Sequence, residues 1–348
     1  MKRNISEVDN TSNKKVKTIH QLNDEEAALY DRQIRLWGFD AQRRLRNSSI
    51  LIVGGKALSN EVCKNLVLAG VGSLTIIDDE NVTVEDLGSQ FLVSKKNVGQ
   101  NRAKSMKERL VKLNSSVKIN IISDSIENKD TSFYNEFDVV CVTGKPLESL
   151  IKINNICRKN NVKFYSADVH GIFGYIFCDL INHKYIEEKN IKYGDDTKTK
   201  QYEKSEQYSS LEDSLKYKFP SDMKLKRFLR KYSSIYFLIY TLLQFQKNNK
   251  RLPKYISEDE ENTEDLNKLK EIRDHLFKKY DINNAVLNDE SLSKIIRNAG
   301  MEILPICSVV GGILAQDILK VISQKELPIS NWFCYDGFTG DGVINKLI

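Results

Sequence analysis

The residues best placed to do chemistry surround a glycine turn. Ser49 to Val53 (SILIV) is a short apolar string, Gly54 and Gly55 follow it, and Asp78 comes roughly two dozen positions later. In nucleotide-binding folds, small residues after a strand let backbone amides at a helix N-terminus approach phosphate, and the acid bonds ribose hydroxyls. The loop here reads Gly54, Gly55, Lys56, Ala57, Leu58, Ser59, and against G-x-G-x-x-G only the first glycine is in register. One reading is a nucleotide site leaning on Asp78. The other, which is preferred, is a tight strand-to-helix turn that has kept the fold and lost the ligand. Arg32 and Arg35 are the other candidate cations. Read alone, Arg32 is an exposed helical arginine paired with Asp31 or Glu26, worth under about 1 kcal/mol. The cysteines Cys63, Cys141, Cys157, Cys178, Cys307 and Cys334 form no CxxC pair and mostly sit in apolar strings such as VVCVT and IFCDL. They read as small core residues of a reducing compartment, and zinc held by this chain alone is not expected.

The surrounding pattern supplies elements to hold these residues. Asn23 with Glu26 resembles a capping box, Gly38 is a stop, and Tyr30, Ile34 and Trp37 share one face, so a single helix is expected between them. Strands are expected at 49–53, 73–77, 117–122, 139–142 and 163–166, with helices at 61–69, 101–113 and between the last two strands. Strands alternating with helices predict a parallel, doubly wound α/β sheet. Residues 171–181 read as a strand leaving that unit. Residues 184–225 are charged and poor in apolar residues, and read as an insertion or long loop. Helices are expected at 223–246, 264–280, 289–299 and 306–322, an acidic loop at 250–266, and strands near 332–335 and 342–347.

Composition sets the outer limits. The chain has 348 residues, 41% hydrophobic and 29% charged, enough for a sizeable core. The longest apolar run, Ile235 to Phe245, falls short of the roughly 18 residues of a membrane span and reads as a buried helix. The net charge is +6, and residues 1–21 hold half of it, through five basic and two acidic residues. So balanced a body gives little support for nucleic-acid capture, and neither nucleic acid nor membrane is an expected partner. The first 21 residues read as a disordered basic tail without the apolar core of a secretory signal. Lys14, Lys15 and Lys17 read as either an import signal or a solvated tail.

Several strings, in order, resemble the ubiquitin-activating, MoeB/ThiF family. They are YDRQIRLWG (Tyr30–Gly38), NLVLAG (Asn65–Gly70), LTIID (Leu74–Asp78), QFL (Gln90–Leu92), Val98-Gly99, Arg102-Ala103, Gly174-Tyr175, VVGGILAQ (Val309–Gln316) and Asp336-Gly337. NHKYIEEK and PICSVVGGILAQDILKVISQ are similar to the Aos-type small subunits of SUMO-activating enzymes in particular. The resemblance implies a Rossmann-like, MoeB/ThiF-type fold with a charged insertion and additional helices. The implied organisation is a tail at 1–21, a first part at 22–183, the insertion at 184–225, and helices returning into the adenylation-type unit at 226–348.

In that family, MgATP adenylates the C-terminal glycine of a small protein, and a cysteine then takes the acyl group as a thioester. Two similar halves build the enzyme, one active and one degenerate. This chain looks like the degenerate half. Ala57 and Ser59 replace loop glycines, and Gly88, Ser89 and Gln90 lack the family's phosphate arginine. Arg102 stands for a lysine, keeping charge but not geometry, and Gly144 to Glu148 (GKPLE) offers nothing like the magnesium-holding Asp-Asn pair. Asp78 is then vestigial, and no cysteine sits in the acyl-acceptor context.

The resemblance therefore implies no cofactor or metal bound by this chain and MgATP bound by a large catalytic partner subunit. It also implies an obligate heterodimer, SUMO engaged through that complex, and a location in the nucleus, or in nucleus and cytoplasm both. It assigns Arg32 a role in trans at the partner's ATP site, with Arg35 second. Alternatives are a self-sufficient MoeB-like adenylating enzyme and the corresponding Nedd-type subunit, whose chains are longer. A nicotinamide-dependent dehydrogenase would need an intact glycine fingerprint. Gly311 and Gly312 are read equally as contacts of a pseudo-symmetric dimer or as packing against this chain's own sheet.

Overall fold

The computed structural model describes residues 22–193, 196–220, 222–255 and 263–348. The tail 1–21 with its lysine cluster, and part of the acidic stretch 250–266, lie outside the described residues. The Asn23–Glu26 capping box forms, with the Glu26 amide donating to Asn23 Oδ1 at 2.7 Å. The single expected helix is broken, however. Tyr30 separates α1 (Asp24–Leu29) from α2 (Asp31–Trp37), and Gly38, at φ +88°, turns the chain into α3 (Phe39–Arg46). The break follows from Tyr30 being pulled into the body, where it is 2% exposed and accepts a hydrogen bond from Asn114 Nδ2 at 2.8 Å. Its ring lies over Gly70, which has φ +77° and no room for a Cβ.

The next elements are β1 (Ser49–Val53), α4 (Ala57–Leu68), β2 (Ser73–Ile77), α5 (Arg102–Leu113), β3 (Lys118–Ile122), β4 (Val139–Thr143), α6 (Leu147–Lys159) and β5 (Lys163–His170). Strands β3-β2-β1-β4-β5 lie side by side and pair in parallel. Neighbours in a strand point to opposite faces, and here both faces are apolar. Leu51, Val53, Val140 and Val142 enter one core, while Ile50, Ile52, Val139 and Cys141 enter the other. Helices α4 and α5 cover the second face and α6 the first. That is the doubly wound arrangement, and the strand order reverses between β1 and β4, where open α/β sheets form their ligand crevice.

Beyond β5 the sheet turns antiparallel. It gains β6 (Phe173–Asp179), and near the C-terminus β9 (Trp332–Asp336) and β10 (Asp341–Asn345). The expectation of a long loop from 184 is corrected: β7 (Asn182–Tyr193) and β8 (Asp196–Gln207) form a hairpin. Charge hides the alternation from a hydropathy reading, because the strands are held by cross-strand pairs. Lys184 meets Glu203 at 3.2 Å and Lys204 meets Glu187 at 2.8 Å. Among the described side chains of the two strands, Tyr185 and His183 are buried, at the base.

Helices α7 (Leu211–Ser214), α8 (Leu225–Lys231), α9 (Ser234–Asn249), α10 (Glu264–Tyr280) and α11 (Asp289–Asn298) complete the first core, and α9 is the buried helix expected from Ile235 to Phe245. The last helix, α12 (Leu304–Ser323), is the apolar helix expected at 306–322. Its 20 residues are long and apolar enough to cross a membrane by length and composition. It packs instead on α4, with Val310, Leu314 and Ile318 fully buried. Gly311 permits that approach, since a Cβ there would meet Glu61 Cβ at 2.7 Å and the Leu58 carbonyl at 3.3 Å. So Gly311 packs within the chain, against a helix rather than the sheet, whereas Gly312 faces open space.

All six cysteines are free and buried. Burial pushes the Cys141 thiol up to about 12, and the others are raised for the same reason.

The Gly70 contact anchors the arginine-bearing α2. Gly70→Ala adds a Cβ against the Tyr30 ring at a positive φ, and should cost about 2–4 kcal/mol in urea unfolding. A loss under about 0.5 kcal/mol would show that Tyr30 is not held there.

Candidate functional site

The crevice at the β1/β4 reversal is present, and the chain's own side chains fill it. The turn begins with Gly54 at φ +96°, where a Cβ would meet Thr143 Oγ1 at 2.6 Å, so β1 and β4 are clamped together at their C-terminal ends. Ser59 lies under this clamp. Its Oγ is 2.7 Å from Thr143 Oγ1, which in turn donates to the Val53 carbonyl at 3.1 Å. Over Gly55 the space a phosphate would need holds Asp78 Oδ2, Met106 Sδ and Arg102 Cδ, each 3.0–3.3 Å from where a Cβ would stand.

Asp78 and Arg102 are spent on each other and on their neighbours. Arg102 is 3% exposed, and its guanidinium meets Asp78 at 3.1 Å, Glu80 at 2.9 Å and Asp86 at 3.1 Å. Asp78 Oδ1 also accepts the Glu80 amide at 2.8 Å. The acid placed to bond a ribose and the cation placed near phosphate thus neutralise one another. Ala57 opens α4, and its backbone amide donates to Glu302 Oε2 at 2.7 Å, while the Leu58 amide donates to Glu302 Oε1 at 3.2 Å. A carboxylate carried 245 residues along the chain occupies the two amides that a phosphate would take.

What remains is a cavity of about 90 Å³, against roughly 300–1,000 Å³ for pockets that hold cofactors. The cations Lys56, Arg102 and Lys145 line it together with the carboxylates Asp78, Glu80, Asp168 and Glu302. A polyphosphate there would meet four carboxyl groups beside three cations. Gln90 is buried, with neither end of its amide hydrogen-bonded. Among the described residues, no three His, Cys, Asp or Glu converge to hold a metal ion.

Glu302 was not among the residues singled out from sequence. It lies in the plain string NAGMEILP, and its partner amides are distant in the chain, so no local pattern marks it. Burial, and then Asp168, push its carboxyl up to about 7, while the two amides and Lys56 pull it down.

Arg32 and Arg35 lie elsewhere, exposed on α2. Arg35 pairs with Asp31 at 2.9 Å, and Glu26 is taken by Arg46 at 2.7 Å. Both proposed partners of Arg32 are therefore engaged, and among the described residues Arg32 has no ion pair. Leu29 and Leu36, on the same short helices, are 64% and 74% exposed, and Phe39 at the start of α3 is 49% exposed.

Fold and site together define a Rossmann-type lobe whose phosphate turn is closed by its own side chains. The chain belongs to the ThiF family, whose model matches residues 30–346. It is similar over nearly its whole length to proteins named SUMO-activating enzyme subunit 1. Identity is 39% to those of Bos taurus and Homo sapiens, covering 94% of this chain and 96% of each relative. For Xenopus laevis it is 37%, covering 94% and 97%. The crystal structure of PaaA superposes with a TM-score of 0.56 at 13% identity, covering 99% of this chain and 78% of that one, a likeness of fold alone.

Two outcomes follow from the filled crevice. Arg102→Ala leaves Asp78 and Asp86 buried without their cation, and should cost about 3–5 kcal/mol by urea unfolding. A near-neutral result would mean that water reaches the cluster. Glu302 sets a pH slope. Its folded value lies above the ordinary 4.5, so the native state holds the extra proton. The associated stability is present below about pH 4.5 and lost as pH rises through about 7, on the order of 3 kcal/mol at most. Asp317, raised to about 6 by burial, adds to the same fall. Thermal melts from pH 5 to 8 should slope less in Glu302→Gln than in the parent; parallel slopes would refute the assignment.

Proposed function

We propose that this chain is the small, non-catalytic subunit of a heterodimeric SUMO-activating enzyme. It braces the adenylation lobe of a large partner subunit and supplies Arg32 to that partner's ATP site, while the partner binds MgATP and takes the modifier as a thioester on its own cysteine. The name shared by its relatives supports the subunit role. The observation carrying the rest is that this lobe's phosphate turn is filled by Arg102 and Glu302 while Arg32 stays exposed and without an ion pair among the described residues. An arginine meant for another chain's nucleotide should be left free in this way, beside apolar residues such as Leu29, Leu36 and Phe39 that a partner can bury. The six buried cysteines agree with a thioester made elsewhere.

In this reading the guanidinium neutralises charge on the departing pyrophosphate in a site from which water is excluded. Such fingers are worth roughly 10³–10⁵ in rate in nucleotide hydrolases, and the lower end is expected where magnesium and the partner's cations share the work. Arg35, held by Asp31, is the second candidate. A nuclear location accords with the lysines at 14, 15 and 17.

The test is ATP–pyrophosphate exchange driven by the SUMO-type modifier, using this chain, the large partner, and both together. Exchange is expected only in the mixture. It should fall about 10³-fold with Arg32→Ala and less than about threefold with Arg35→Ala. Exchange by this chain alone would point instead to a self-sufficient adenylating enzyme. An unaffected Arg32→Ala mixture would remove the arginine from the mechanism.

A further inference from the structure

We propose that the cationic face of α8 is a docking surface for an acidic peptide segment of another protein, one that carries an apolar side chain among its carboxylates. The inference goes beyond the adenylation reading and does not rest on Arg32 or on any nucleotide.

α8 reads LKRFLRK, with Lys224 as its N-cap. At the helical rotation per residue, Lys224, Lys226, Arg227, Arg230 and Lys231 fall on one side, over roughly 160° of the circumference. Leu225, Phe228, Leu229 and Tyr232 fall on the other. That second side is taken by the core. Phe228 is 5% and Tyr232 1% exposed, and the Phe228 ring packs on Phe219, Tyr232 and Phe237 at centroid distances of 5.9, 5.0 and 5.9 Å. The cationic side therefore faces solvent, and all five cations are exposed. None has an ion pair among the described residues. Lys231 stands over the Tyr232 ring at 5.0 Å, a contact that leaves its charge in place.

Other helices of the chain treat their lysines differently. Lys112 meets Glu108 on α5 at 2.7 Å, Lys268 meets Glu264 on α10 at 2.5 Å, and Lys294 meets Glu290 on α11 at 2.6 Å. α8 contains no acid, and neither does α9, which it meets through Phe237. The nearest acid along the chain is Asp222. Lys226 with Arg230, and Arg227 with Lys231, are like charges one turn apart, which repel and disfavour the helix. Carboxylates laid across the face relieve that repulsion. The apolar side is closed to a bilayer or to a helix-binding groove, because the core holds it. A nucleic acid needs a longer basic track, whereas α8 spans only about 10 Å and the chain outside residues 1–21 carries half of a net +6. A short acidic segment needs no more than this one face. Leu229, 39% exposed at the border next to Lys226, offers that segment its apolar contact.

The experiment follows the fluorescence anisotropy of a labelled peptide, glutamates and aspartates around one central leucine, against the full chain. The chain is co-purified with its large partner if the heterodimer is obligate, so that any partner contribution is common to all samples. Binding is expected in the micromolar range at about 50 mM salt, weakening about tenfold at about 200 mM as exposed charges are screened. Lys226→Gln/Arg227→Gln/Arg230→Gln/Lys231→Gln should weaken it about tenfold or more, with the melting temperature unchanged or raised because the repulsion is gone. Leu229→Ser should weaken it about two- to threefold, and so should replacing the peptide's leucine by serine. Should the fourfold variant not fold, Lys226→Gln/Arg230→Gln carries the test, with a loss of about threefold expected. Lys104→Gln/Lys107→Gln, which removes two exposed cations from α5, should bind as the parent does. No binding at low salt overturns the proposal, as does undiminished binding by the α8 variants. An equal loss in the α5 control reduces the effect to general attraction and overturns it too. A single-stranded oligonucleotide of equal charge that binds more tightly than the peptide, and loses binding with the α8 variants, assigns the face to nucleic acid instead.

Discussion

The amides at the start of α4 must find an acceptor, and much of this structure follows from how they find it. A parallel strand that feeds a helix through Gly54 and Gly55 leaves the first helical N–H groups pointing into the crevice at the sheet's reversal point. In related folds a bound phosphate satisfies them. Here Glu302 does so from the loop before α12, and the position of that loop fixes where α12 can run. The helix then passes across α4 so closely that Gly311 must be a glycine. The acceptor for two amides and the packing of the longest apolar helix are therefore one arrangement.

The same crevice explains the fate of Arg102. A cation near the turn has two uses, to meet a ligand's phosphates or to meet the chain's own acids. Asp78, Glu80 and Asp86 all approach its guanidinium within 3.1 Å, and at 3% exposure it cannot turn outward. A buried ion cluster gains little net stability, because desolvation offsets much of the attraction. Losing one member is costly all the same, since the others are left buried and unpaired. The crevice is thus closed by groups that cannot easily be withdrawn, which differs from a pocket waiting for its ligand.

How much of this was legible in the sequence depended on range. The strands from Ser49 and Ser73, and the helix from Glu264 to Tyr280, were readable because apolar strings, caps and glycines lie within a few residues of one another. The asparagine cap at 23 was readable for the same reason, but the break at Tyr30 was not, since it depends on Gly70 and Asn114 across the fold. The 182–207 hairpin escaped notice because its strands are held by cross-strand charge pairs, and a pattern of lysine and glutamate looks like a solvated loop until the partner strand is known. The apolar helix after Pro305 was readable although Asp317 and Lys320 interrupt it, but the burial of Asp317 against Tyr165 was not, since that partner lies far along the chain. Within the candidate site, the loss of loop glycines and the change at position 102 were visible. What fills the turn was not, because Glu302 belongs to a string with no motif.

Closing a glycine turn of this kind with the chain's own groups is a harder problem than leaving it empty. Apolar residues could close the space but could not accept from the amides of α4, and a buried amide without an acceptor costs roughly 1–3 kcal/mol. Water could accept, but in a cavity of about 90 Å³ it would have to be ordered at an entropic cost of its own. A carboxylate meets both demands, and it sits at the helix end whose dipole favours negative charge. Its drawback is desolvation, visible in the upward shift of the Glu302 carboxyl, and that drawback is contained by putting the acid on a fastened loop rather than a free one. A lobe closed in this manner has no use for a phosphate-seeking arginine of its own, which is consistent with Arg102 being turned inward and with a different arginine, on the separately anchored α2, remaining exposed.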